Sequence, residues 1–587
     1  MEDNNRFIEN LYRQHAVSNS LSLVLSVIGP LCCTILAGRA FGADGLSVIA
    51  ICAPLFFVGA FIGMTFSGGG GILAARAVSE SDEEAPAVLY SVSALLSITV
   101  AAAACVCLLV FQKQLLHFMG PDAPTSLAGY YRWSAINVVV TAALWPPLNF
   151  CRLAGRPAVG PAMTSVMALA SVGGALLFIK PLGLPGVALA QLVGGVCAFA
   201  TALCMMRGST LRFRPPGRKP PIAAIAAAGS PAGLSRLYQL VAVFALNALF
   251  LSTGGMAPLA VFAAIQMLHR FISAFVAGTT QTLLPIAGVL DAERDSAGLS
   301  RLMAHAVFFG NLLTGLACLV LLVFRSHIAA LFGLADAALL FGYAIVLYAI
   351  YAMLLQNVTL YISYFTARAS LKTANVLLFL QEFLFLVGPA LALAALHGGY
   401  AVWAAFPLSG ILTLAVLAAI VLRQKRRDPA LSLPFLINRA AEASGNDLSF
   451  SVESDGASIA RSAELLFQFC AEKGLPHKQN ILVSLSVEEF LLLIANNAPP
   501  GSRLGLSVRL VLDPGRITMR IRGKGRMFDP LMYYNNHISD DIEKSLDVIG
   551  IKYIAENAHR IYYRDTFGVN NLVIEINRAE NAEDAEG

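Results

Sequence analysis

Charge is what this sequence has least of. Lys, Arg, Asp and Glu make up only 13% of its 587 residues, against about 25% in soluble proteins, while apolar residues reach 57%. Apolar runs of membrane length are too many to bury in one another in water, which argues against an ordinary multidomain soluble chain. There is no C-x-x-C pair and no Cys/His cluster at metal spacing among the ten cysteines. A zinc site and a disulfide framework are therefore not expected. Nine of those cysteines lie in or at apolar stretches, where they read as small buried hydrophobes, and only Cys470 lies elsewhere. A cleavable signal peptide is missing too: the first sixteen residues are polar, with Arg6, Glu9 and Arg13, and the apolar run after them is long enough to span.

What is present is a succession of spans. Twelve stretches of about 20 mostly apolar residues fall near 17–37, 45–66, 87–111, 133–150, 158–179, 184–206, 233–253, 257–280, 302–324, 340–366, 373–396 and 400–422. The basic, proline-rich segment around Pro215-Pro-Gly-Arg-Lys-Pro-Pro221 divides them six and six. The expected organisation is a 1–16 N-terminal segment, a 17–206 bundle, a 207–232 linker, a 233–427 bundle, a 435–578 α/β domain and a 579–587 acidic tail. With the N-terminus inside, cytoplasmic segments collect 18 Lys and Arg and external loops 5, a positive-inside bias that places both termini in the cytoplasm. The overall charge of +5 reflects these loops and is no evidence for nucleic-acid binding.

The two halves echo each other. Arg39-Ala-Phe-Gly-Ala-Asp-Gly-Leu-Ser leads through an apolar span to a run at Gly68–Gly71 that reads as a glycine break, followed by the acidic loop Ser81-Asp-Glu-Glu-Ala85. Gly254-Gly-Met-Ala-Pro-Leu-Ala opens a matching span that closes through Gly278-Thr-Thr-Gln281 and Pro285 into the acidic loop Asp291-Ala-Glu-Arg-Asp295. Two copies of one helical unit are a common transporter plan.

Gly38-Arg39-Ala-Phe-Gly42-Ala43-Asp44-Gly-Leu46 resembles the first-loop signature of the MATE (multidrug and toxic compound extrusion) transporters. Asn149-Phe-Cys-Arg152-Leu-Ala-Gly155-Arg-Pro157, Gly186-Val-Ala-Leu-Ala190 and Gly399-Tyr-Ala-Val-Trp-Ala-Ala-Phe-Pro407 are similar to further stretches of that family. The resemblance covers about residues 15–425. It implies a polytopic α-helical membrane protein with two six-helix bundles in a V around a central cavity. It also implies export by alternating access, coupled to inward Na⁺ or H⁺ through carboxylates, with no other cofactor. This chain departs from the pattern where the family often carries an aspartate late in the first span, because that position is Cys33. In the fifth span an Asn/Asp pattern is replaced by Ala170-Ser-Val-Gly-Gly174.

An ionisable side chain in hydrocarbon costs at least about 2.5–3.5 kcal/mol, so one that persists there is a functional candidate. Only Glu382 lies well inside a span, preceded by Gln381. It either binds the coupling cation, faces a cationic substrate, or neutralises a buried arginine, with Arg270 the obvious partner. Asn137, Asn247, Gln266, Gln356 and Asn357 are polar residues inside spans that either line a cavity or hydrogen-bond between helices.

Beyond Phe435 charge density becomes ordinary and periodicities shorten. Helices are expected over 458–473, 477–498 and 540–557, and strands over 504–512, 516–522 and 572–576. This part resembles the ATP-binding domain of the GHKL superfamily, in its anti-sigma-factor kinase branch. The stretches that carry the resemblance are Val487-Glu488-Glu489, Gly523-Lys-Gly525-Arg-Met-Phe528-Asp529-Pro530 and Leu546-Asp-Val-Ile-Gly550. The resemblance implies nucleotide contacts at Glu489, Gly525, Asp529 and Gly550. The expected magnesium-binding asparagine is Leu493, however, and the adenine-reading aspartate is Gly523. A regulatory, non-catalytic module that binds a cytoplasmic protein follows from those two losses.

The expectation is thus a secondary-active exporter of organic cationic or amphipathic compounds in the plasma (inner) membrane, in contact with the lipid bilayer and no nucleic acid, and not an enzyme. A flippase for a lipid-linked or polysaccharide precursor is the nearest alternative. A membrane sensor that has lost transport is the alternative from another class.

Overall fold

The computed structural model describes residues 2–79, 85–119, 126–151, 154, 156, 158–207, 222–292, 295–368, 370–438, 446–497, 505–513, 515–524, 530–537, 549–566 and 569–578. The chain forms two compact units. One comprises Gln14–Gly288 and Ala306–Leu422; the other is assembled from Met1–Arg13, Val289–His305 and Arg423–Gly587.

The first unit is all helix. Its elements are α1 (Glu2–Ser79), α2 (Ala85–Val110), α3 (Gln112–Met119), α4 (Ser126–Phe150), α5 (Val159–Leu182), α6 (Leu184–Met206), α7 (Ile222–Gly254), α8 (Met256–Ala292), α9 (Ser296–Val323), α10 (Arg325–Leu331), α11 (Ala338–Ala367), α12 (Leu371–Phe379), α13 (Phe385–His397) and α14 (Ala405–Arg427). The ends of α1, α8, α9 and α14 reach into the second unit. Among the described residues, eleven helices are long and apolar enough to cross a membrane. One of them, His477–Asn496, belongs to the C-terminal module, and α1 contains two spans. Adding the 25-residue α4 returns the twelve spans read from the sequence.

The repeat is visible in the backbone. Left-handed glycines turn the chain at Gly42 and Gly183 in the first half and at Gly255 and Gly398 in the second. These are the joints between spans one and two, five and six, seven and eight, and eleven and twelve. A positive φ costs an L-residue about 1–2 kcal/mol, so glycine is the residue such a joint requires. Each third span is followed by a short helix, α3 in one half and α10 in the other.

Two sequence expectations are corrected. The Gly68–Gly71 run does not break the chain, because α1 continues through it to Ser79. It serves a helix crossing instead: a Cβ on Gly69 would collide with the backbone of Ile225 and Gly229, and one on Gly229 with that of Thr65 and Gly69. Thr65-x-x-x-Gly69 on α1 thus faces Gly229-x-x-x-Gly233 on α7, and small residues let the two backbones touch. The linker is shorter than expected, since α7 begins at Ile222.

The second unit carries a five-stranded antiparallel sheet in the order β3 (Asp447–Glu453), β4 (Gly505–Leu512), β5 (Arg516–Lys524), β7 (Val569–Asn577), β6 (Arg560–Thr566). A two-stranded ribbon, β1 (Leu431–Ser432) with β2 (Ile437–Asn438), precedes it. Alternation sets the two faces. Leu506, Val508 and Leu510 of β4, Ile517, Met519 and Ile521 of β5, and Leu572, Ile574 and Ile576 of β7 share a core with α15 (Gly456–Glu472), α16 (His477–Asn496) and α18 (Ile549–Asn557). A short α17 (Pro530–His537) packs on α16. Strand β3 lies ahead of the expected elements although Leu448, Phe450 and Val452 alternate cleanly along it, whereas β6 and α17 mix polar and aromatic residues and carry no clean period. The opposite face of the sheet is also buried, yet polar: Ser507, Arg509, Thr518, Arg522 and Asn571 lie there.

Within this unit the polar face meets Asp295, at the turn between α8 and α9. Its carboxylate lies 3.2 Å from Arg509 and 3.8 Å from Arg522, and Arg509 also reaches Asp447 at 3.3 Å. Burial lowers the pKa of Arg522 to about 10 and that of Arg520 as well. The acidic loop seen in the sequence is therefore part of the same unit as the C-terminal sheet, which the expected 435–578 boundary leaves out.

Candidate functional site

The helices of the first unit enclose a cavity of about 770 Å³, within the range of small-molecule sites. Both halves of the repeat line it: Phe56 and Phe57 of α1, Asn137 of α4 and Gln191 of α6 from one, Arg236 of α7, Arg270 of α8, Tyr351 of α11 and Phe406 of α14 from the other. A site at the interface of two repeats is where alternating-access proteins hold their cargo.

Glu382 opens into this cavity from a single π turn, Leu380–Leu384, inserted between α12 and α13. Such a turn adds a residue to the helical ladder and re-aims its side chains, and it is frequent at functional sites. Periodicity gives no sign of it in the sequence. Gln381, on the same turn, is buried and also lines the cavity, and its Oε1 has no hydrogen-bond partner among the described residues.

The partner of Glu382 differs from the one expected. The polar groups beside the carboxylate are Gln239 and the guanidinium of Arg236. Arg236 donates to Gln239 Oε1 at 2.7 Å and reaches Met64 Sδ at 3.2 Å. Arg236 and Gln239 are three residues apart on α7 and so share a helical face, a spacing that could have been read from the sequence. Arg270 makes no ion pair with Glu382. Its guanidinium lies over the rings of Phe56 and Phe57, at 4.6 Å and 5.6 Å. The adjacent His269 is held by the Tyr348 hydroxyl at 3.2 Å and the Ser273 hydroxyl at 3.4 Å.

Of the polar residues proposed for the cavity, Asn137 and Gln266 line it. Asn247, Gln356 and Asn357 do not, and each has a structural duty. Asn247 donates to the carbonyl of Ala50. Gln356 is wholly buried between Thr279 and Thr314. Asn357 and Asn311 exchange two hydrogen bonds of 2.9 Å. Cys33 is buried at a helix crossing, its Sγ 3.5 Å from the Ser171 carbonyl. That site is packed rather than wet, so the aspartate of the family would have no cavity to face.

In the C-terminal module, Glu489 lies against Gly550, where a Cβ would collide with its carboxylate. Burial raises the pKa of Glu489, and the neighbouring Glu488 adds to the shift. Leu493, where the resemblance would put a magnesium ligand, is buried in the apolar core. Gly523 is covered by Leu506. Gly525 and Asp529 lie outside the described residues.

Comparison with known proteins agrees with this architecture. The MatE family model matches residues 20–177. Over those residues the chain resembles the MatE family. The MATE fold extends through both halves: the inward-facing structure of a multidrug resistance MATE family transporter of the MOP superfamily superposes with a TM-score of 0.59 at 18% identity, over 68% of this chain and 96% of its own. A mutant of the Vibrio cholerae MATE transporter VcmN gives 0.56 at 18% identity, over 72% and 99%. A MOP superfamily transporter from Pyrococcus furiosus, described by a reverse polarity of its binding pocket that suggests a different function, gives 0.55 at 17% identity, over 70% and 95%. No curated protein matches the sequence.

Proposed function

We propose that this MATE-fold chain is a secondary-active exporter of small amphipathic compounds at the plasma membrane, with both termini cytoplasmic and with transport coupled to inward H⁺ or Na⁺ at Glu382. The observation that carries the reading is Glu382 on its π turn: among the described residues lining the cavity it is the sole carboxylate, with Gln239 and Arg236 beside it. A carboxylate whose charge is balanced by a neighbouring amide and guanidinium can exchange that balance for a proton or a sodium ion. Release of Arg236 and Gln239 from it would then favour a different packing of α7 against α12 and α13. The positive-inside bias supports the orientation.

The C-terminal module acts as a regulatory, non-catalytic domain in this reading. A leucine in the core at the magnesium position and a glycine under Leu506 at the adenine position support that. A flippase acting on a lipid-linked precursor stands as the second reading, because Arg236 and Arg270 both line the cavity.

The test is gradient-driven flux of an amphipathic dye in inverted vesicles, with a pH or a sodium gradient imposed, for the wild type and Glu382→Gln. The gradient should accelerate flux in the wild type and have no effect in the variant. Equal gradient dependence in both proteins removes Glu382 from coupling, and absence of flux from the wild type refutes the exporter reading.

A further inference from the structure

The charges in the cavity do not suit a cation. The charged groups lining it are Arg236, Arg270 and Glu382, and His269 adds a ring whose two nitrogens are already engaged by Tyr348 and Ser273. Glu382 is answered by Gln239 and Arg236. Arg270 is then left over: among the described residues it makes no hydrogen bond and no ion pair, and its guanidinium lies over the two phenylalanine rings. An aromatic face offsets part of the cost of desolvating a guanidinium, and a half-buried charge on a cavity wall is best answered by an anionic partner with hydrogen bonds. Its flat fork of five N–H donors faces no protein acceptor among the described residues, at the wall of a cavity large enough for a small molecule.

We propose that the cavity takes an amphipathic anion, with a carboxylate, sulfonate or phosphate head on Arg270 and an apolar body along Phe56, Phe57, Leu246 and Tyr351. The guanidinium fork matches such heads in two parallel hydrogen bonds. Phe56 and Phe57 fix the plane of the fork, so it need not be ordered when the ligand arrives. A cationic ligand would meet Arg270 directly and would have to displace Gln239 and Arg236 to reach Glu382. The anion replaces the organic cation that the family resemblance suggests. The inference deepens the transporter reading and rests on it for its physiological sense, although binding itself requires no transport.

The experiment compares two amphiphiles with one tail and opposite heads, decyl sulfate and decyltrimethylammonium, by equilibrium dialysis against the full chain in phosphatidylcholine nanodiscs, with empty discs subtracted. Decyl sulfate should bind at least about tenfold more tightly, a difference of about 1.4 kcal/mol. Arg270→Gln should lose that preference, whereas Arg270→Lys, which keeps the charge without the fork, should retain part of it. Removing an uncompensated charge should leave the ligand-free Arg270→Gln protein at least as heat-stable as the wild type, and decyl sulfate should no longer raise its Tm. Doping the discs with phosphatidic acid separates the two sources of an anionic head. Arg270-dependent competition with decyl sulfate assigns the site to a membrane lipid, no competition assigns it to a free organic anion, and both support the anion.

Decyl sulfate binding that is unchanged in Arg270→Gln overturns the proposal. So does tighter binding of decyltrimethylammonium. Gradient-driven flux together with decyl sulfate binding that is indifferent to Arg270 rejects the anion and leaves the transporter reading intact. Arg270-dependent binding without any flux does the reverse.

Discussion

Replacing Asp295 should loosen the C-terminal sheet from one face. The carboxylate sits between Arg509 and Arg522 at 3.2 Å and 3.8 Å, with side-chain exposures of 11%, 6% and 10% respectively. It has a second duty, since Oδ1 accepts from the backbone N–H of Gly298 at 2.8 Å and so caps α9. Asp295→Asn keeps an acceptor for the cap and removes the charge. Breaking a buried ion pair from one side costs about 3–5 kcal/mol. The low end applies here, because Arg509 keeps Asp447 at 3.3 Å. Asp295→Ala adds loss of the cap, about 1 kcal/mol more. Opening of the sheet should therefore become about 150-fold more frequent in the asparagine variant and about 700-fold in the alanine variant, at tenfold per 1.4 kcal/mol. Hydrogen exchange of the β4 and β5 peptides in the full chain reads this directly. Exchange within about threefold of wild type in Asp295→Asn would show that the arginines are solvated without it, and the ion-pair argument would fall.

Three further outcomes follow from other sites. Glu489 has a folded pKa raised by burial and by Glu488, so its ionisation opposes folding. Its stabilising contribution is full below the unfolded carboxylate pKa of about 4.3 and is lost as pH rises through the folded value. Glu489→Gln should accordingly increase amide protection of α16 at pH 8 and have no effect at pH 4; a pH-independent effect would contradict this. Gly229→Leu should force α1 and α7 apart, because Thr65 and Gly69 present backbone to that position. Cys52, buried and on the cavity wall, should then react faster with a maleimide, as read by peptide mass spectrometry, and an unchanged rate would mean that the crossing does not seal the cavity. Asn357→Leu removes one side of an amide pair and should lower stability by only about 0.6 kcal/mol, with ligand affinity unchanged; a large affinity loss would return Asn357 to the cavity.

The spans, their number and their doubling were legible because hydrophobic length and glycine position are properties of the linear chain. Gly42 and Gly255 can be paired by eye. The lone carboxylate at Glu382 was legible for the same reason. Its partner was not, because Arg236 and Arg270 look alike in sequence, and only the π turn and the face of α7 decide between them. Asn357 and Asn137 likewise differ only in which neighbour each meets across a helix crossing. The role of Asp295 was hidden for a different reason. Its partners Arg509 and Arg522 come more than 200 residues later in the chain, and an alternating strand shows that a face is polar without showing what covers it.

The discontinuous unit has a consequence for how the protein is made. A ribosome finishes residues 289–305 long before it reaches β4 and β5, and among the described strands β7, which pairs with both β5 and β6, is made last. Until β4 and β5 emerge, Asp295 waits without its arginines. The unit can close only after both bundles have been threaded into the bilayer, so its completion marks the end of insertion. A chain that stops short of Val569 should leave the membrane helices in place and both β5 and β6 without the strand that joins them.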